Sequence, residues 1–292
     1  MNFIEAIEKA WQRQNSLLCV GLDPDISRIP VHLRNLENPL FQFNKSIVDS
    51  TADVVCAFKP QVAYYSACRL EADLELTIDH VHRNHPGIPV ILDAKRGDIG
   101  STAEKYAEEA FDRYGADAVT VNPYMGGDTL QPFLDRIDKG VIIVCRTSNP
   151  GARDIQDLES NREKLYRIVA RKAASDWNHN GNVLLVVGAT FPKELGEIRS
   201  IVGEMPLLVP GIGAQGGDVE AAVAGGKTHD GTGMIINSSR NIIYASTGED
   251  FAEAAGRLQF ILGTRSIAIG EGRRGVTRVA IGLCHERGSE KT

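Results

Sequence analysis

The sequence lacks a long apolar run, a paired-cysteine motif and a strong excess of either charge, and each absence removes a class of protein. No stretch approaches the roughly 20 apolar residues that a helix needs to span a bilayer, so no membrane partner is expected. Five cysteines are an odd set without a C-x-x-C pair, which excludes a disulfide framework and the common zinc-ribbon spacings. Cys19, Cys56 and Cys145 lie inside apolar runs, where a thiol serves as a small core residue; a reducing, cytoplasmic setting follows. Thirty-two basic residues against 38 acidic ones give a net charge of -6, so no basic face for nucleic acid is expected. An anionic ligand would have to be gripped locally, by a few donors and cations. With 42% hydrophobic and 24% charged residues, the composition is that of a globular protein and excludes collagen-like and disordered readings.

What is present is a rhythm. The opening MNFIEAIEKAWQRQN reads as an amphipathic helix with Ile4, Ile7 and Trp11 on one face, not as a signal peptide. Eight short apolar runs then recur at 17–21, 54–59, 89–95, 118–122, 141–147, 183–190, 206–211 and 233–239. They are apolar throughout instead of alternating, which is the signature of parallel strands buried on both faces. Helical stretches separate them, among them 101–115, where Ser101 and Glu104 suggest a capping box, and 161–177. Eight strands alternating with helices leave two α/β architectures, a (β/α)8 TIM barrel or a doubly wound open sheet; eight is the barrel's number, so one barrel domain over residues 1–263 is expected. Segment 149–160 is polar and rich in turn formers, an enlarged loop after the fifth strand. Residues 264–292 lose the pattern and read as a peripheral or poorly ordered tail.

In such a barrel the reactive side chains project from the C-terminal ends of the strands. The sharpest signal there is D-A-K-R-G-D at 93–98: strand alternation puts Asp93 and Lys95 on one face, and Asp98 follows from the loop. Lys59 ends the second run, beside them. Burying so many charges is costly unless their signs alternate, so an ion network is expected. Flanking carboxylates favour an ammonium, which suits Lys95 to proton donation or to a fixed positive charge, and not to Schiff-base chemistry.

A second signal is P-G-I-G-A-Q-G-G-D at 210–218. Gly211, Gly213 and Gly216 match G-x-G-x-x-G, but the motif follows the seventh strand, whereas a dinucleotide fingerprint belongs to the first βαβ unit. Barrels bind phosphate after strands seven and eight, and Arg240 would add a forked cation there. Other features carry less. The run 221–228 lacks the first glycine of a P-loop. His82 and His85, spaced i, i+3, have no third ligand in view, so the His80–His85 segment reads as a solvated helix face and no metal is expected. Arg273, Arg274 and Arg278 are weak evidence for nucleic acid.

Taken in order, Leu22-Asp23, Lys59, D-x-K-x-x-D at 93–98 and Arg240 resemble the orotidine 5′-phosphate decarboxylase family. The wording DAKRGDIGSTAEKYAEEAF and the SNPG at 148–151 resemble its longer-loop branch. The resemblance covers about residues 1–260. It implies a (β/α)8 barrel that works without cofactor or metal and turns orotidine 5′-phosphate into UMP, the last step of pyrimidine nucleotide synthesis. By the same resemblance Lys95 protonates C6, Asp93 faces the departing carboxylate and Lys59 completes the network. Asp98 and Thr102 reach into the partner's site of a homodimer. Asp23 binds ribose, Ser148 the pyrimidine edge, and Gln215, Gly211, Gly213 and Arg240 the 5′-phosphate. Two alternatives stay open: a magnesium-dependent keto-sugar phosphate decarboxylase of the related barrel group, and a non-catalytic nucleotide-binding barrel.

Overall fold

A computed structural model describes residues 1–211, 219–262, 266–267 and 277–278. Eight strands form one parallel sheet: β1 (Leu18–Leu22), β2 (Ala57–Pro60), β3 (Ile91–Arg96), β4 (Ala118–Val121), β5 (Gly140–Arg146), β6 (Val183–Val187), β7 (Leu207–Pro210) and β8 (Met234–Ser238). Their order is β2-β1-β8-β7-β6-β5-β4-β3. Parallel bridges Phe58–Val90 and Gln61–Asp93 join the two ends, so the sheet curls into a nearly closed barrel. Each strand sits where an apolar run predicts it, because the runs supply both the barrel interior and the face that receives the helices.

Helices return the chain on the outside, among them Pro39–Thr51, Glu71–Asn84, Gly100–Glu108, Leu165–Ser175, Pro192–Val202 and Phe251–Leu262. The amphipathic helix Phe3–Gln14 covers the N-terminal end of the barrel, burying Phe3, Ile7 and Trp11. Gly140 admits it there: a Cβ at that position would lie 2.5 Å from Phe3 Cδ1. Buried Asp73, on the helix Glu71–Asn84, accepts from Leu40 N at 2.8 Å and Phe41 N at 3.0 Å. It thereby caps the helix Pro39–Thr51, whose own N-cap Asn38 makes no side-chain capping bond.

Three local expectations need correction. Ser101 is not an N-cap: the helix begins at Gly100 with Ile99 as its N-cap, and no capping box forms. The helical stretch 161–177 starts only at Leu165, because Glu159–Ser160 and Glu163–Lys164 pair as a small antiparallel ladder. The histidine segment is not a bare solvated face either. His80 and His85 each place Nε2 2.7 Å from Asp49 Oδ1, while His82 turns to Asp117 at 2.9 Å. Of residues 264–292, only Ser266–Ile267 and Thr277–Arg278 are described, paired antiparallel; the rest of the expected tail lies outside the described residues.

Candidate active site

The C-terminal ends of β1, β2, β3 and β8 converge on a cavity of about 170 Å³ lined by Asp23, Lys59, Asp93, Gly211, Asn237 and Arg240, among others. Asp93 is its centre. Its Oδ2 accepts from Lys59 Nζ at 3.0 Å and its Oδ1 from Lys95 Nζ at 2.6 Å. One carboxylate thus separates two ammonium groups, the alternation of sign that burial demands. Burial alone would push the Asp93 carboxyl up; the two lysine charges outweigh it and hold it well below the usual carboxylate range. Burial alone would likewise push Lys59 down, but the charges of Asp93 and Asp23 keep it above the ordinary lysine value. Lys59 is enclosed, whereas the Lys95 side chain is 45% exposed.

Lys95 does not get there by regular strand geometry. The β3–β4 register shifts between Leu92 and Arg96, and Lys95 takes a left-handed φ of 45°. A side chain in that region is strained, so the surroundings must hold it. Thr120 on β4 does so. Its Oγ1 accepts from Ala94 N at 3.0 Å and from Lys95 N at 2.9 Å, and donates to Asp93 Oδ1 at 2.9 Å. Sequence reasoning passes over Thr120; its one signal is a lone hydroxyl inside the apolar run AVTV, and threonine is also an ordinary strand residue.

Asp23 faces the cluster from β1. Its Oδ2 accepts from Ser239 Oγ at 2.5 Å, while its Oδ1 is buried with no protein partner among the described residues. Gly21 makes this approach possible, since a Cβ there would sit 2.5 Å from Ser239 Oγ. The Tyr244 hydroxyl accepts from Asp25 N at 2.6 Å and fixes the loop after β1. Behind Asp23, the Cys19 thiol is pushed up to about 12 by burial, which leaves it a neutral core group as its apolar run suggests.

The other predicted positions are spread around the mouth. Asp98 makes no ion pair with Lys95 among the described residues; its Oδ1 accepts from Ile99 N at 2.8 Å. Thr102 is exposed on the first turn of the next helix. Ser148 lies half-buried against Gly188 at the end of β6. Gly211 closes β7 with a φ of 96°, a conformation that requires glycine, and exposed Arg240 opens the helix Arg240–Ile243 after β8. Gln215 and Gly213 lie outside the described residues.

The enlarged loop is anchored by a residue that the sequence reading does not single out. Arg146, at the end of β5, is 1% exposed and lies 4.6 Å from the Phe191 ring centroid and 5.3 Å from that of Tyr166. It pairs with Asp157 at 3.4 Å, and Gln156 accepts from Thr147 N at 2.9 Å, so the loop folds back onto its own strand. A larger cavity of about 670 Å³ opens beside it, but among the described residues Lys172 is its only charged lining residue, and Asp93 and Lys59 line the smaller cavity.

A parallel barrel with a buried ion cluster at its C-terminal mouth has the build of a barrel enzyme. The chain belongs to the Orotidine 5'-phosphate decarboxylase / HUMPS family, whose model matches residues 16–255. It is 62% identical over 255 residues to the orotidine 5'-phosphate decarboxylase of Azoarcus sp. (strain BH72), covering 87% of this chain and 94% of that one. The enzyme of that name from Ralstonia pickettii (strain 12J) is 60% identical over 258 residues, covering 88% and 95%. Among solved structures, Leishmania donovani OMP decarboxylase superposes with a TM-score of 0.76 at 39% identity, over 88% of this chain and 96% of that one.

Proposed function

We propose that this chain decarboxylates orotidine 5′-phosphate to UMP, closing pyrimidine nucleotide synthesis, with Lys95 as the proton donor and no cofactor. The observation that carries the reading is Asp93 held between Lys59 and Lys95, with the second side chain partly exposed. In the reaction the bond from C6 to the carboxylate breaks, carbon dioxide leaves, and the electron pair stays at C6. The Lys95 ammonium protonates that carbon and recovers its proton from water. Little delocalisation is available to the developing charge, so a preorganised cation is the fitting stabiliser. Asp93 lies against the departing carboxylate and loses a like-charge neighbour as carbon dioxide leaves.

The remaining residues divide the substrate. The unpartnered Asp23 oxygen suits a ribose hydroxyl, and Lys59 adds a ribose contact. Ser148 meets the pyrimidine edge, and Gly211, Gly213, Gln215 and Arg240 take the 5′-phosphate, a remote group whose binding energy is expressed at the reacting carbon. Asp98 and Thr102 serve the partner's site in a homodimer. Exposed Ile99 and Met125 support this: both are large apolar side chains left open to solvent, and Met125 Cε lies 3.6 Å from where a Cβ on Gly97 would be.

The test is loss of orotidine 5′-phosphate ultraviolet absorbance on adding purified protein, with and without EDTA. Chelator-resistant conversion to UMP supports the reading. Conversion that EDTA abolishes would overturn the metal-free part of the reading, and no conversion by folded protein would favour the sugar-phosphate substrates or a non-catalytic nucleotide binder.

A further inference from the structure

A second cluster of titratable side chains lies on the outside of the barrel. Asp49 sits in the last turn of the helix Pro39–Thr51, and His80 and His85 sit at the end of Glu71–Asn84. Barrel helices run against the strands, so these helix ends lie at the N-terminal face, opposite the substrate mouth. The three side chains offer one ligand atom each, all within 4.8 Å of one another. Residues 80 and 85 would not share a face of a continuous helix. They meet because His85 is the C-cap, with φ −128° and ψ 58°, and its ring folds back.

We propose that Asp49, His80 and His85 form a zinc site, with two imidazole nitrogens, one carboxylate oxygen and a water as its four ligands. Two histidines and a carboxylate are a donor set that zinc takes in tetrahedral geometry. Both Nε2 atoms already converge on the same carboxylate oxygen, at 2.7 Å each. In a tetrahedral site the ligand atoms stand about 3.3 Å apart, so the cluster must open by about 0.6 Å. The residues that would move are Asp49, 43% exposed, and His85 on its helix end, 21% exposed. His80 is the fixed member, 10% exposed and edge-on to Phe41 with ring centroids 6.1 Å apart.

Proton placement calls for one local adjustment. Zinc takes the Nε2 lone pair, so the ring proton must move to Nδ1 and needs an acceptor there. The Asn84 amide nitrogen lies 3.0 Å from both His80 Nδ1 and the His80 carbonyl oxygen, so presenting its own oxygen to Nδ1 requires the amide to turn and give up its bond to that carbonyl. Binding would displace the Nε2 protons that now point at Asp49. Placed far from the mouth, the ion would tie two helices together and take no part in the reaction.

The test is titration of the full chain, stripped of metal, with Co²⁺ followed by its visible ligand-field bands and displaced by Zn²⁺. One Co²⁺ per chain in a tetrahedral nitrogen–oxygen site is expected, at micromolar affinity or tighter, with a rise in melting temperature. Asp49→Asn and His85→Gln should each abolish it, and Asn84→Ala should weaken it about tenfold. Absence of saturable one-to-one binding overturns the proposal. So does binding unchanged in Asp49→Asn, whose exposed side chain makes misfolding a poor explanation. A sulfur-to-cobalt charge-transfer band would also overturn it, by placing the ion on Cys68 or on Cys284. The readout needs no nucleotide turnover, so its failure leaves the decarboxylase reading untouched.

Discussion

The two sides of the barrel mouth are built differently. On the β2–β4 side the charged groups sit on or beside strands: Lys59 on β2, Asp93 and Lys95 on β3, Thr120 on β4, all joined by hydrogen bonds of 2.6–3.0 Å. On the β5–β8 side the groups assigned to base and phosphate sit on loops and helix starts, Ser148 before the 149–160 loop and Arg240 after β8. The contrast follows from what each side must do. Like charges a few ångströms apart tolerate little slack, because each relies on its neighbour to offset desolvation. Recognition of a ligand that must enter and leave is better served by loops.

Breaking the strand side should therefore cost most. Lys95→Ala is expected to lower kcat by about 10⁴-fold or more while nucleotide monophosphate binding and circular dichroism survive; near-normal steady-state turnover would remove Lys95 from its role. Asp93→Asn leaves two ammonium groups without their shared counter-charge, and unfolding in urea should show a loss of about 3–5 kcal/mol. The sign of its pH dependence follows from the depressed carboxyl. Its stabilisation is present above the ordinary carboxylate value near 4 and is lost as pH falls below it. Acid unfolding of the wild type should steepen in that window, and Asp93→Asn should flatten it.

The loop side should respond more mildly and in a different parameter. Arg240→Ala removes one charge-assisted contact to phosphate and should lower kcat/KM about 10–100-fold, mostly through KM. Equal losses in kcat and kcat/KM would blur the distinction between the sides. Smallest of all is a strand-side change that removes no charge, Thr120→Val, which keeps the shape but strips two backbone amides of their acceptor. About 1–3 kcal/mol of stability and roughly tenfold in kcat are expected, with KM little changed.

The same contrast separates what could be read from the sequence. All eight strands were legible, because strands covered on both faces leave apolar runs that no other element of that length imitates here. Asp93, Lys95 and Lys59 were legible because charges at the ends of such runs are costly and demand a reason. Thr120 was not, since a threonine in a strand needs none. The bulge that turns Lys95 into left-handed space left no trace in D-A-K-R-G-D. Ser101 and Glu104 mimic a capping box that the chain bypasses by starting its helix at Gly100, two residues earlier than that box implies. The Asp49–His80–His85 cluster escaped because its carboxylate comes from another helix, 31 residues before His80, and because His85 reaches it only by leaving helical geometry.

The pairing of β1 with β8 has a consequence for how the chain comes into being. Leu18, Cys19 and Val20 find their partners at Ile236, Asn237 and Ser238, and Asp23 meets Ser239 only after more than two hundred further residues have been added. A polypeptide emerging from the ribosome thus carries an open-edged sheet through most of its synthesis, and the Asp23–Ser239 corner of the pocket is assembled late. Premature termination anywhere upstream of residue 239 would leave no partially active remnant, only an unsealed barrel with two sticky edges.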